Sequence, residues 1–301
     1  MVNYKVIKHR KIWISISAVI VAASIIALAM WGLKPGIDFT GGSLLEVKYN
    51  GNQPTVSEIQ DSIKSVGVSS LIVQPTDANS VILRFQETSQ EKHTAIFEAL
   101  KQSDFAKDGL EEIRFEAIGP SVGDELRSKS FWVMFLVLII IILYVSMAFG
   151  KVSKPVASWK YGLIAIIALF HDIIITSGVF AALGHFYGIE VNTSFVVALL
   201  TVLGYSVHDT IVVFDRTREN LPKSHSTFAD TVDLSLNQTF GRSVSTVLTV
   251  LLSLVAVLIF GGDSIRDFVL ALMVGITAGA YSSLFVASPL LVYFEQWNRK
   301  N

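Results

Sequence analysis

The stretch Val196–Asn220, VVALLTVLGYSVHDTIVVFDRTREN, decides how the chain is read. Its first part is apolar like a membrane helix, yet Asp209 stands well inside it, and it ends in the charged run Asp215–Glu219. Placing a carboxylate in lipid costs roughly 2.5–3.5 kcal/mol on insertion scales, so such a residue faces a protein interior or a wet cavity, where it handles protons or ions. A membrane protein is expected, with Asp209 on a proton path.

Composition agrees. Hydrophobic residues make up 51% of the 301, the mean hydropathy is +0.55, and only 16% are charged, against about 25% in soluble domains. There is no cysteine, which excludes disulfides, thiol nucleophiles and thiolate metal sites. No basic stripe with interleaved aromatics suggests nucleic acid.

Working outward, the first apolar run, Ile12–Leu33, follows Lys5, Lys8, His9, Arg10 and Lys11. It is longer than a signal-peptide core and ends in bulky Met30 and Trp31, so an uncleaved helix is expected. Five more runs are long enough to cross: Phe131–Phe149, Tyr161–Leu183, Val191–Phe214, Ser243–Phe260 and Phe268–Phe294. Lys151, Lys154 and Lys160 fall between runs two and three; Arg216, Arg218, Lys223 and Arg242 fall between four and five, and Arg299 and Lys300 end the chain. The opposite connections carry only Arg266, so both termini are expected to be cytoplasmic and the large first loop outside. The expected organisation is 1–33 as cytoplasmic N-terminus and first span, 34–130 as an extracytoplasmic domain, and 131–301 as spans two to six.

The loop carries about fifteen acids and ten bases. Ser43–Tyr49, Ser70–Gln74, Val81–Gln86 and Glu112–Ala117 read as strands; Pro54–Val66 and Gln90–Gln102 have helical spacing, and TDANS reads as a turn. The order βαββαβ is that of the ferredoxin-like arrangement. No catalytic constellation is visible in it, and His93 is expected on a solvated helix face. Gly36-Ile-Asp38-Phe-Thr-Gly41-Gly42 joins the first span to this domain. Its glycines suit a tight turn or, alternatively, a hinge.

Inside the membrane the ionisable residues are His171 and Asp172 in the third run, and His208 and Asp209 in the fourth. Tyr205 and Ser206 share a side with Asp209 and are expected to bond its carboxylate or hold water near it. Arg242, opening the fifth run, is the expected counter-charge. Protonating an acid paired with an arginine removes their attraction and lets helices separate. His171, Asp172, Tyr205, Ser206 and His208 are candidate members of the path. Neighbours on a helix point about 100° apart, so neither His-Asp dipeptide suits a single metal ion, and no metal or other cofactor is expected. Gly275 and Gly279 form a GxxxG contact face.

The segments GIDFTGG (36–42), LFHDIIITSG (169–178), LLTVLGYSVHDTIVVFDRTREN (199–220), LNQTFGRSVSTVLT (236–249) and LIFGG (258–262) resemble the SecF family, subunits of the SecDF accessory complex of bacterial protein export, within the proton-driven RND superfamily. The resemblance implies six membrane helices of RND type, with Asp209 and Arg242 as the family's functional acid and arginine. It implies SecD as obligatory partner, the SecYEG channel and SecA ATPase as associates, an unfolded preprotein as substrate, and the bacterial cell membrane as location. Many relatives have asparagine where this chain has His208. Lacking GxSxG and HExxH, the chain is not expected to be an enzyme. A small-molecule or lipid transporter of RND type is the alternative, though a domain of this size offers little room for a drug-sized pocket.

Overall fold

A computed structural model describes residues 4–51, 53–76, 79–148 and 158–300. Its elements in chain order are α1 (Arg10–Trp31), α2 (Ile37–Thr40), β1 (Gly42–Tyr49), α3 (Val56–Ile63), β2 (Ile72–Pro75), β3 (Ser80–Phe85), α4 (Gln90–Lys101), β4 (Leu110–Ile118), α5 (Pro120–Ala148), α6 (Ser158–Tyr187), α7 (Thr193–Asn220), α8 (Phe228–Phe260), α9 (Asp263–Ser282), a π-helical stretch (Ser283–Ala287) and α10 (Ser288–Lys300). They form two compact units, Pro35–Ser130 and Met1–Lys34 with Phe131–Asn301.

In the unit Pro35–Ser130, four antiparallel strands lie in the order β2-β3-β1-β4. Leu45 on the central β1 faces Leu83 on one side and Phe115 on the other. Alternation along β1 and β3 sends Leu45, Val47, Tyr49, Val81 and Leu83 to one face, where Ile59 and Ile63 of α3 and Ile96 and Leu100 of α4 cover them. His93 is buried, contrary to the solvated position expected. Its Nε2 lies 3.0 Å from Glu112 Oε2, and its ring lies 3.9 Å from that of Phe115. The reason is spacing: positions 93, 96 and 100 form one helical stripe, so His93 shares the inward face with Ile96 and Leu100.

α3 begins at a capping box. Thr55 Oγ1 accepts from the Glu58 backbone N–H at 3.3 Å, and Glu58 Oε2 accepts from the Thr55 N–H at 2.7 Å. Thr55→Ala is expected to destabilise this unit by about 1 kcal/mol, measured by chemical denaturation. The backbone N–H of Thr55, with its hydroxyl, holds the Glu58 carboxyl below its ordinary range. Its contribution is therefore present above the unfolded-state pKa and lost as pH falls through the folded-state value. The stability difference between wild type and Glu58→Gln should shrink on acidification; a difference that grows would contradict the box.

Gly41 and Gly42 have φ of +70° and +119°, and a Cβ at either would press on backbone, 2.8 Å from Pro120 Cα and 2.7 Å from Phe85 O. Thr40 Oγ1 donates to Gly36 O at 3.1 Å across α2, which carries Asp38 in its first turn. Both glycines thus take backbone conformations and close approaches that a side chain would strain.

The other unit contains six helices long and apolar enough to cross a membrane, the last running through α9, the π stretch and α10. Several outlast the apolar runs. α5 starts at Pro120, a residue suited to the first helical position. α8 starts at Phe228, capped by Thr227, whose hydroxyl accepts from Asp230 N–H at 3.2 Å. α7 continues through its charged end, where Asp215–Arg218 and Arg216–Glu219 pair at 2.7 and 2.6 Å. Helical hydrogen bonding does not stop where hydropathy does, and i,i+3 ion pairs sustain the last turns. Lys151 and Lys154 of the expected basic connection, Phe149 at the end of the second run and Asp77 of the expected turn lie outside the described residues.

α6, α7 and α9 carry most of the burial, whereas α5 and α8 are largely exposed. Small residues set the close contacts: a Cβ at Gly178 would strike Ser24 of α1, and one at Gly275 would strike Val202 of α7. The residues before α1 strap back onto α8: Tyr4 N–H donates to Asn237 Oδ1 at 2.9 Å, Ile7 N–H donates to Asp233 Oδ1 at 3.0 Å, and Tyr4 stacks on Phe240 at 4.3 Å.

Candidate functional site

α7 is launched by Asn192, whose side chain accepts from Phe195 N–H at 3.0 Å. Its inward stripe Ala198, Val202, Ser206, Thr210, Val213 and Thr217 is buried, which leaves Asp209 half-buried on the flank toward α8. There Ser243 Oγ donates to Asp209 Oδ1 at 2.5 Å. Asp209 Oδ2 is buried with no hydrogen-bond partner among the described residues.

One expectation is corrected here, that for Ser206. Among the described residues no ion pair within 4.0 Å joins Asp209 to Arg242, whose side chain is exposed yet near enough to act electrostatically on the acid. One position along α8 turns the side chain by about 100°, so the serine following Arg242 faces the acid and the arginine points outward. Ser206 does not bond Asp209 either. It belongs to the inward stripe and donates to Asp172 Oδ2 at 2.5 Å. Tyr205 is half-buried on Asp209's side without a hydrogen bond to it, and His208 is exposed.

Asp172, fully buried in α6, instead gathers the polar groups. Its Oδ1 meets His171 Nδ1 at 2.9 Å, and its Oδ2 accepts from Ser206 and, at 3.0 Å, from Ser282. Gly279 makes room: a Cβ there would lie 3.0 Å from Ser206 Cβ and 3.5 Å from Asp172 Oδ2. Just beyond, Ser283 Oγ donates to Ser206 O at 3.2 Å and lies 2.8 Å from Thr210 Oγ1. The backbone widens into the π stretch at this point. Pro289 has no N–H to offer Phe285, and Ser288 Oγ donates to Ser283 O at 3.2 Å.

Ser243, Ser282, Ser283 and Thr210 were not candidates from sequence. Hydroxyl residues are frequent in apolar helices, and most here bond the preceding turn, as Thr201, Thr217 and Thr249 do. The available signal was position, since 243 borders Arg242 and 282–283 follow the GxxxG pair. The carboxylates thus occupy different settings, one closed over by three donors within the unit and one held by a single hydroxyl beside an outward-facing arginine.

Known proteins match this chain along most of its length. The family described as "Protein export membrane protein SecD/SecF, C-terminal" matches residues 98–297, and the "SecD/SecF GG Motif" matches residues 26–52, which include the turn at Gly41 and Gly42. The protein translocase subunit SecF of Thermobaculum terrenum is 40% identical over 304 residues, covering 96% of this chain and 93% of its own. That of Sebaldella termitidis is 37% identical, covering 99% and 94%. Among solved structures, SecDF from Thermus thermophilus, described as a translocon-associated membrane protein, superposes with a TM-score of 0.83 at 30% identity. The match covers 99% of this chain and 39% of that one.

Proposed function

Since the chain belongs to the SecD/SecF family of protein export membrane proteins, we propose that it is a proton-motive-force-coupled auxiliary subunit of export, with Asp209 as the group that changes protonation. The observation that carries this reading is Asp209 itself, with Oδ1 held by Ser243 and Oδ2 buried without a hydrogen-bond partner among the described residues. A buried acceptor left unsatisfied costs about 1–3 kcal/mol, more when charged. A bound proton relieves the charge, and a nearby arginine does so electrostatically. Arg242, at the adjoining position of α8, is the group we assign to that alternative. Exchange between the two states shifts α7 against α8 and links proton passage to a change of shape.

On this reading both termini are cytoplasmic in a bacterial cell membrane, and the unit Pro35–Ser130 is an extracytoplasmic ferredoxin-like domain. Its βαββαβ order and β2-β3-β1-β4 sheet support the fold assignment, and the distribution of Lys and Arg supports the orientation. The chain spans only 39% of the SecDF chain it matches, which supports SecD as the chain supplying the remainder. SecYEG, SecA and an unfolded preprotein complete the proposed assembly.

The test is Asp209→Asn, reconstituted with SecD and the translocon in proteoliposomes. Stimulation of export by an imposed proton gradient should fall to background while gradient-independent export persists. Undiminished gradient dependence would overturn the proposal.

A further inference from the structure

We propose that the His171–Asp172 pair of α6 is a second one-proton site, separate from Asp209, and that Ser282 reports its state to the π-helical stretch. This rests on the proton-coupled reading above and adds a site and a moving element to it.

The first ground is charge balance. Asp172 has no exposed surface, and the ionisable group touching it is His171, at 2.9 Å. The other groups facing it are the hydroxyls of Ser206 on α7 and Ser282 on α9, with the Tyr281 ring stacked beside the imidazole at 6.2 Å. Asp209 is engaged with Ser243 and is not among its partners. The pair is neutral as imidazolium with carboxylate or as imidazole with carboxylic acid, and both forms hold one proton more than imidazole with carboxylate. That last form leaves a whole charge buried with hydroxyls and a neutral ring for company, the costly arrangement in a low-dielectric interior. Among the described residues His171 Nε2 is buried without a hydrogen-bond partner, so a second ring proton there would be unsatisfied. The additional proton therefore belongs on the carboxyl group, whose Oδ1 accepts from Nδ1–H.

The second ground is the partner available to Ser282. As a carboxylate oxygen, Asp172 Oδ2 accepts from both Ser206 and Ser282. Once it bears a proton it donates to one hydroxyl and is a weaker, uncharged acceptor for the other. Ser282 has an alternative acceptor in its own helix, Gly279 O at 3.1 Å. Protonation thus releases the end of α9 from α6 where the backbone passes into Ser283–Ala287, a stretch already short of one α-helical hydrogen bond at Pro289. A π segment interchanges hydrogen-bond registers more readily than a regular helix does.

The experiment is infrared difference spectroscopy across pH on the full chain in proteoliposomes, with amide exchange followed at 283–288. In the wild-type-minus-variant difference, one carboxylic-acid component should be lost in Asp172→Asn and kept in Asp209→Asn, beside the separate components of Asp209 and the surface carboxylates. Exchange at 283–288 should quicken about tenfold in Asp172→Asn, as expected for losing a hydrogen bond to a charged group. Should that variant not fold, His171→Gln serves instead, with the pH midpoint of that component displaced from wild type. No carboxylic-acid component lost in Asp172→Asn, or a midpoint of that component unmoved by His171→Gln, would overturn the site and leave Asp172 a fixed anchor between helices. Neither readout needs export, so the result stands apart from that of Asp209→Asn on gradient-driven transport.

Discussion

Gly279→Leu is expected to prevent the helical unit from accumulating in folded form, whereas Gly204→Leu in the same chain is expected to be tolerated. At 279 the first added carbon already lies 3.0 Å from Ser206 Cβ and 3.5 Å from Asp172 Oδ2, and three more carbons have nowhere to go. α9 must back away from α7 and α6, which breaks the Ser282 bond to a carboxylate that cannot reach water. Overpacking costs about 1–3 kcal/mol, and abandoning a hydrogen bond to a buried charge costs as much again. At 204 a Cβ meets nothing within 4 Å. Thermal stability of the purified chain in detergent decides the matter. Equal behaviour of the two variants would mean that the α7–α9 contact does not hold the unit together.

The second large effect belongs to the sheet. Leu45→Ala is expected to lower the stability of Pro35–Ser130 by about 2–5 kcal/mol. Leu45 is fully buried on the central strand, between Leu83 and Phe115. A unit this small has a total margin on the order of 5–15 kcal/mol, so its melting temperature should fall by about 10–30 °C. Ile113→Ala, on the exposed part of β4, should stay within about 0.5 kcal/mol of wild type. Circular dichroism with limited proteolysis separates them; a small change for Leu45→Ala would contradict a core centred on β1.

What was legible in the sequence follows from which signals are local. Apolar runs of about 20 residues marked six helices because crossing lipid sets their length, and alternation in Ser43–Tyr49 marked a strand because a half-covered sheet requires it. Helix ends were not legible at Pro120, Phe228 or Asn220, since caps and ion pairs carry them past the apolar segment. The site was legible in its residue types and less so in its pairings. Asp209 and Asp172 announced themselves as carboxylates in oil. Which hydroxyl meets which acid depends on the rotation of α7 against α6, α8 and α9, so that Ser243 bonds Asp209 beside Arg242 and Asp172 claims Ser206. Hydrophobic spacing did contain the position of His93, in its register with Ile96 and Leu100.

The strap formed by Tyr4 and Ile7 bears on how the molecule is made. Its acceptors, Asp233 and Asn237, leave the ribosome more than two hundred residues later, about 10–50 s at ordinary rates of synthesis. The amino end must therefore wait, unfastened, while four later helices are laid into the bilayer, and only then does it latch the newest of them. A bulky fusion at that end would meet the nascent chain at this late closing step, whereas the same fusion at the carboxyl end would leave this latch untouched.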